Sequence, residues 1–251
     1  MIPVSLFFSS VTTVDAAREW FVGQPGDWDE YRGRITYPTR SQVLELAVQI
    51  ARPVSGHIME FGVYQGYSTR IIRDELWRAK IWDRRQRGKR IYACDSFEGL
   101  PETYERLPAG NFATPVPKLR RVRIVRGFFD ASLTPELAAE VGRVSLAHLD
   151  ADLYSSTSCV LNWLTPLLAP GSLLLFDEFY GEDPAEARAF SEWLEETGTR
   201  VAMLALFGRE PSGQGATGDR RALFQVVADR PISKAAPLLP VRLRRRLSAN
   251  W

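Results

Sequence analysis

Between His57 and Val227 the chain alternates short apolar runs with helix-length amphipathic stretches, and this alternation restricts its fold more than any other feature. His57–Val63, Arg90–Asp95, Val122–Arg126, Val144–Asp150 and Ser172–Asp177 read as strands. Ser68–Arg85, Thr134–Val141, Ser155–Leu167 and Pro184–Thr197 read as helices, with Pro135 suited to a first helical turn. Ser172 to Phe176 is apolar at successive positions, as burial on both faces of a sheet demands. The pattern predicts a parallel sheet with helices on both faces. The last two runs, Arg200–Phe207 and Arg221–Val227, have no helix between them and flank the glycine-containing stretch Gly208–Asp219. They are expected to close the sheet as an antiparallel hairpin.

A Rossmann-like α/β domain over residues 55–230 accommodates all of these elements. A helical lead-in or lid, residues 1–54, precedes it. Within the lead-in, Thr39 can cap a helix running to Ala51, because Val43, Leu46, Ala47 and Ile50 fall at helical spacing. The segment 231–251 is basic, with Arg242, Arg244, Arg245 and Arg246 interleaved with Leu243 and Leu247. It suits a solvated terminus, or contact with a membrane surface or an acidic partner. At 251 residues and 45% hydrophobic content, one large domain has material for a full core. A net charge of +2 gives no argument for a nucleic-acid partner. Two cysteines, Cys94 and Cys159, with no Cys-x-x-Cys exclude a zinc ribbon or a disulfide framework and fit a reducing cytoplasm. The apolar run Ile2–Phe8 is short for a secretory signal and has no basic residue before it, and no stretch approaches a membrane span.

The turn after the first core strand, Glu60-Phe61-Gly62-Val63-Tyr64-Gln65-Gly66-Tyr67-Ser68-Thr69, is where an open α/β sheet binds its ligand. A pyrophosphate-binding turn needs Gly-x-Gly-x-x-Gly, so that backbone can approach the phosphates. Here Val63, Tyr64 and Gln65 separate Gly62 from Gly66, and the middle glycine is absent. The loop suits a nucleoside cofactor without a pyrophosphate, and S-adenosylmethionine (SAM) is such a molecule. Glu60 is placed to meet a positively charged cofactor group. Asp95, at the end of the next strand, is placed to accept ribose hydroxyls.

The fourth and fifth strands end in Asp150-Ala151-Asp152 and Asp177-Glu178. If these strands are neighbours, Asp150, Asp177 and Glu178 crowd together and repel unless a positive charge sits among them. A hard divalent cation held by carboxylates, Mg2+ above all, answers that need. It would also lower the pKa of a substrate hydroxyl. The alternative is that Asp152 or Glu178 points to solvent or pairs with an arginine. His57, at the far end of its strand, and His148, within a strand, read as structural residues or as residues behind the site.

The loop Glu60–Thr69, the run Asp95-Ser96-Phe97-Glu98-Gly99-Leu100-Pro101, Gly127-Phe128-Phe129, Asp150-Ala151-Asp152-Leu153-Tyr154-Ser155-Ser156-Thr157, and Pro170-Gly171 through Asp177-Glu178-Phe179-Tyr180 together resemble the macrocin O-methyltransferase family of class I SAM-dependent methyltransferases. The resemblance covers residues 55–182. It implies a seven-stranded sheet with a reversed last strand and methylation of a hydroxyl on a small molecule, a sugar or a glycosylated natural product. It implies SAM contacts at Glu60, Gly62, Tyr64, Gly66 and Ser68, at Asp95, Ser96 and Phe97, at the Gly127-Phe128 turn and at Asp150. It also implies metal ligation by Asp150, Asp177 and Glu178. Two departures stand out. The family's Asp-Asp metal pair is Asp177-Glu178 here, and Ser96–Lys118 holds no histidine to serve as the base. Asp150 or Asp152 then takes the proton, or the metal alone suffices. A non-catalytic binding or assembly protein and an NAD-dependent oxidoreductase are the competing classes. Aromatics in the variable segments, such as Trp20, Tyr31 and Phe112, suit an acceptor pocket, and equally plain core or a contact between copies in a homo-oligomer.

Overall fold

The computed structural model describes residues 9–11, 39–104, 107–179, 185–207 and 221–227. Residues 12–38 of the lead-in, the 208–220 connection and the basic tail lie outside the described residues. The described elements are β1 (Ser9–Val11), α1 (Arg40–Ala51), β2 (His57–Phe61), α2 (Tyr67–Trp82), β3 (Ile91–Asp95), β4 (Arg123–Arg126), α3 (Phe129–Ser132), α4 (Pro135–Val141), β5 (Val144–Leu149), α5 (Tyr154–Leu164), β6 (Leu173–Phe176), α6 (Ala185–Thr197), β7 (Val201–Phe207) and β8 (Arg221–Val226). The expected alternation is present, with strand and helix ends shifted by a residue or a few.

The strands form one sheet in the order β1-β7-β8-β6-β5-β2-β3-β4. β2 pairs in parallel with β3 on one side and β5 on the other, and β4 and β6 continue the parallel run outward. β8 runs antiparallel between β6 and β7, so the last strand is reversed against the parallel run and forms the expected antiparallel hairpin with β7. The seven expected strands are joined by β1, a three-residue strand antiparallel to β7. The chain leaves β2 toward β3 and β4 and then crosses back to β5. The order therefore reverses between β2 and β5, and a crevice opens at their carboxyl ends.

Two apolar layers hold the sheet. Alternate residues of a strand point to opposite faces, so Met59 and Phe61 enter one layer with the apolar sides of α5 and α6, while Ile58 enters the other with α1 and α2. Phe176, Phe179, Phe190 and Phe224 cluster with ring centroids 4.8–6.0 Å apart, fixing α6 over β6 and β8. Each such fully buried ring contributes about 1.5–3 kcal/mol. α1 starts on a capping box: Thr39 Oγ1 accepts the Gln42 N–H, and Gln42 Oε1 accepts the Thr39 N–H at 2.8 Å. That cap sets the helix start at Arg40, whose side chain reaches the crevice.

Candidate active site

β2 ends at Phe61 because Gly62 turns the chain with φ +90°. A Cβ at Gly62 would lie 1.8 Å from the Asp150 carbonyl oxygen, so glycine is required where this loop passes the end of β5. Asp150 N–H donates to the Phe61 carbonyl at 2.8 Å and Gly62 N–H to Cys94 at 3.0 Å, locking the ends of β5, β2 and β3 together. Gly66 closes the turn, donating to Val63 O at 2.7 Å, and opens α2 with φ +75°.

Asp95 braces this turn. Its Oδ2 accepts the amides of Val63 and Tyr64 at 2.7 and 2.8 Å, and its Oδ1 accepts that of Phe97 at 2.7 Å. A carboxylate has about four lone-pair directions, so room is left for roughly one more donor. Ser96 shapes the next turn: its hydroxyl donates to Gly99 O and accepts the Glu98 N–H.

These loops enclose a cavity of about 700 Å³, within the range of small-molecule sites. Among the residues expected to touch a cofactor, Gly62, Tyr64, Ser68, Asp95 and Ser96 lie on its wall, as do Gly127, Phe128 and Asp150. Glu60, Gly66 and Phe97 stand behind that wall. Phe97 packs in a small core with Val63, Ala93 and Leu119. Glu60 is wholly buried, accepts a hydrogen bond from Thr69, and meets His148 Nδ1 at 3.1 Å. Tyr64 and Phe112 stand edge to face at 6.1 Å, both exposed, and line the cavity.

The opposite wall is acidic. Asp150, Asp152, Asp177 and Glu178 all line the cavity. The cations that face them were not found from the sequence. Arg40 Nη2 pairs with Asp150 and lies 3.2 Å from Asp177 Oδ2. Arg221, 3% exposed, grips both oxygens of Asp177. His148 Nε2 lies 3.7 Å from Asp177 Oδ1, an ion-pair distance. Neither arginine carries a local signal for this pairing, since Arg40 and Asp150 are 110 residues apart.

The charges set the proton affinities. Burial would raise the Asp177 carboxyl, but His148 and Arg221 outweigh it and hold the group well below the usual carboxylate range. Burial would lower His148, but Asp177 and Glu60 bring it up to about 10. Burial and the Asp177 charge push Asp150 up to about 8, despite His148 and Arg40. Burial, Glu178 and Asp177 push Asp152 up to about 7.

A further buried acid, Glu186 on α6, was also missed. It is fully buried, and burial, then Asp150 and Asp177, raise its pKa well above the ordinary value. It stands on the same helical stripe as Phe190, Trp193 and Leu194, so the 3.6-residue period does point to it.

Residues 59–179 match a family model described as a methyltransferase domain. Over 177 residues the chain is 28% identical to 8-demethyl-8-(2,3-dimethoxy-alpha-L-rhamnosyl)-tetracenomycin-C 4'-O-methyltransferase of Streptomyces olivaceus, covering 61% of this chain and 65% of that protein. Over 152 residues it is 26% identical to demethyldecarbamoylnovobiocin O-methyltransferase of Streptomyces niveus, covering 52% and 55%. The chain thus spans less than two thirds of the length of the curated relatives it matches. Among solved structures, the O-methyltransferase NovP superposes with a TM-score of 0.56 at 20% identity, covering 75% of this chain and 80% of that one, a likeness of fold.

Proposed function

We propose, on the match of residues 59–179 to a methyltransferase-domain model, that the chain is a class I methyltransferase that transfers the methyl group of SAM to a hydroxyl of a small molecule. The acceptor class we propose is a sugar or a glycosylated natural product, in line with the rhamnosyl-tetracenomycin named for the Streptomyces olivaceus relative. The observation that carries the reading is the Asp95-braced glycine turn at the β2/β5 switch point, which opens into the same cavity as the acidic wall.

In this reading the Gly62–Ser68 turn and Asp95 hold the nucleoside, and Gly127 and Phe128 border it. The acceptor enters between the Tyr64–Phe112 mouth and the carboxylates. Its oxygen attacks the methyl carbon in line, the carbon–sulfur bond breaks, and sulfur keeps the electron pair as S-adenosylhomocysteine leaves. The hydroxyl proton passes to a wall carboxylate. Asp152, at about 7, is matched to a proton acceptor at neutral pH, with Asp150 beside it as the second candidate.

The wall also suits Mg2+. Carboxylate oxygens of Asp150 and Asp177 lie within 4.8 Å of each other, and Glu178 lines the same cavity. Burial, with Asp177 beside it, raises the Asp150 carboxyl against His148 and Arg40, so a cation here would favour its charged form. Asp150, Asp177 and Glu178 would hold the ion, with the Arg40 guanidinium withdrawn from between the two aspartates. When bound, the metal would acidify the acceptor hydroxyl.

No helix among the described residues is long and apolar enough to cross a membrane. Action in the cytoplasm on a small molecule, without nucleic acid, completes the reading.

The test incubates the protein with methyl-labelled SAM and a panel of nucleotide sugars and glycosylated aromatic compounds, with Mg2+ or with EDTA. Label on a sugar oxygen that disappears with EDTA is the expected result. Label on nitrogen or carbon overturns the acceptor class, and transfer that ignores EDTA overturns the metal.

A further inference from the structure

Two loops carry the acidic wall: one follows β5 and bears Asp150 and Asp152, the other follows β6 and bears Asp177 and Glu178. At their base Asp177 N–H donates to Leu149 O at 2.9 Å. Farther out, a single side chain from α6 spans them. Glu186 Oε1 accepts the Ala151 amide at 3.4 Å, and Oε2 accepts the Glu178 amide at 3.1 Å.

Packing alone does not explain a carboxyl group there. The rest of the stripe, Phe190, Trp193 and Leu194, is apolar, and an apolar residue would fill the position without the cost of burying a polar group. Asp150, Asp152 and Asp177 make it a poor place for another acid. What the carboxyl group adds is two acceptor oxygens, aimed at one amide in each loop. Glu186 does not line the cavity, so it meets neither cofactor nor acceptor.

We propose that Glu186 is a positioning residue that fixes the spacing between the two acid-bearing loops, and so sets the geometry of the carboxylate wall. The proposal rests on the methyltransferase reading for its consequence, but not for its structural test.

That test compares wild type with Glu186→Gln, which keeps the volume but has one acceptor oxygen, and with Glu186→Ala. The readouts are amide exchange and amide proton shifts at Ala151 and Glu178 by NMR, Mn2+ affinity as a Mg2+ substitute, and S-adenosylhomocysteine affinity by calorimetry. In Glu186→Gln at least one of the two amides is expected to shift and to exchange about tenfold faster, and in Glu186→Ala both. The amides of Val63 and Tyr64, held by Asp95, keep their wild-type exchange. Mn2+ affinity falls about 10- to 100-fold, as for other residues that orient metal ligands, while S-adenosylhomocysteine affinity stays within about twofold. Wild-type exchange at both amides in the two variants would reduce Glu186 to a space filler and overturn the proposal. Faster exchange that also reaches Val63 and Tyr64 would overturn it as well, since that is general destabilisation. Wild-type protein that binds no S-adenosylhomocysteine or no Mn2+ contradicts the proposed function, and the amide data then decide on Glu186 alone.

Discussion

Replacing Asp95 with alanine removes the acceptor of three backbone amides at once: Val63 and Tyr64 from the cofactor turn, and Phe97 from the turn that follows β3. A hydrogen bond to a charged acceptor contributes about 1.5–3 kcal/mol when water is excluded. Asp95 is half-buried and borders the cavity, so water can replace part of what is lost. The expected destabilisation is therefore about 2–4 kcal/mol rather than the full sum. For a chain of this length that lowers Tm by roughly 5–15 °C. In the proposed function Asp95 also takes the ribose hydroxyls, so S-adenosylhomocysteine loses that acceptor and the turn that meets it loses its brace. Its Kd should weaken at least ~100-fold, equivalent to about 2.7 kcal/mol. Asp95→Asn keeps one oxygen and turns an amide nitrogen toward the other donors, so it should fall between wild type and alanine. Thermal melting and calorimetry read both effects. An alanine variant that melts with wild type and binds S-adenosylhomocysteine equally well would refute the bracing role.

Gly62→Ala should cost at least ~2 kcal/mol and abolish S-adenosylhomocysteine binding, because a methyl group at φ +90° meets the Asp150 carbonyl; wild-type melting and binding would contradict the close approach. Asp177→Asn takes the Asp177 charge away from the buried Arg221 guanidinium, so a loss of about 3–5 kcal/mol in denaturant unfolding should accompany the loss of methyl transfer. Wild-type stability would show that Asp177 does not hold Arg221. Iodoacetamide should label Cys159, on the cavity wall, and S-adenosylhomocysteine should slow that labelling. Cys94, wholly buried with its thiol pushed up by burial, should label only in denaturant, and equal rates for the two cysteines by mass spectrometry would contradict its burial.

The fold was readable because its signals are local. Leu173 to Phe176 is apolar at every position, which only a two-sided layer can bury, and Thr39 with Gln42 spells a capping box within four residues. The antiparallel closing hairpin followed from the missing helix between two apolar runs. β1 went unseen because Ser9-Ser10-Val11 is too short and too polar to mark itself. The site was readable only at its chain-local parts. Gly62, Asp95, Asp150 and Asp177 sit at strand ends, where position alone marks them. Glu60 shows the limit. It is in register with His148 on the neighbouring strand, and the two share a face of the sheet. Strand periodicity gives that parity but not which face turns away from the cavity. Arg40 and Arg221 depend on contacts between distant segments, which no single stretch encodes.

Titrating S-adenosylhomocysteine into the full chain by calorimetry, with NADH as the control ligand, comes first. Binding of S-adenosylhomocysteine at micromolar Kd with no heat from NADH is the expected result, because the turn from Gly62 to Ser68 fits a nucleoside and lacks the glycine a pyrophosphate needs. NADH binding without S-adenosylhomocysteine binding, or silence from both, would contradict SAM as the cofactor and the methyl-transfer chemistry built on it.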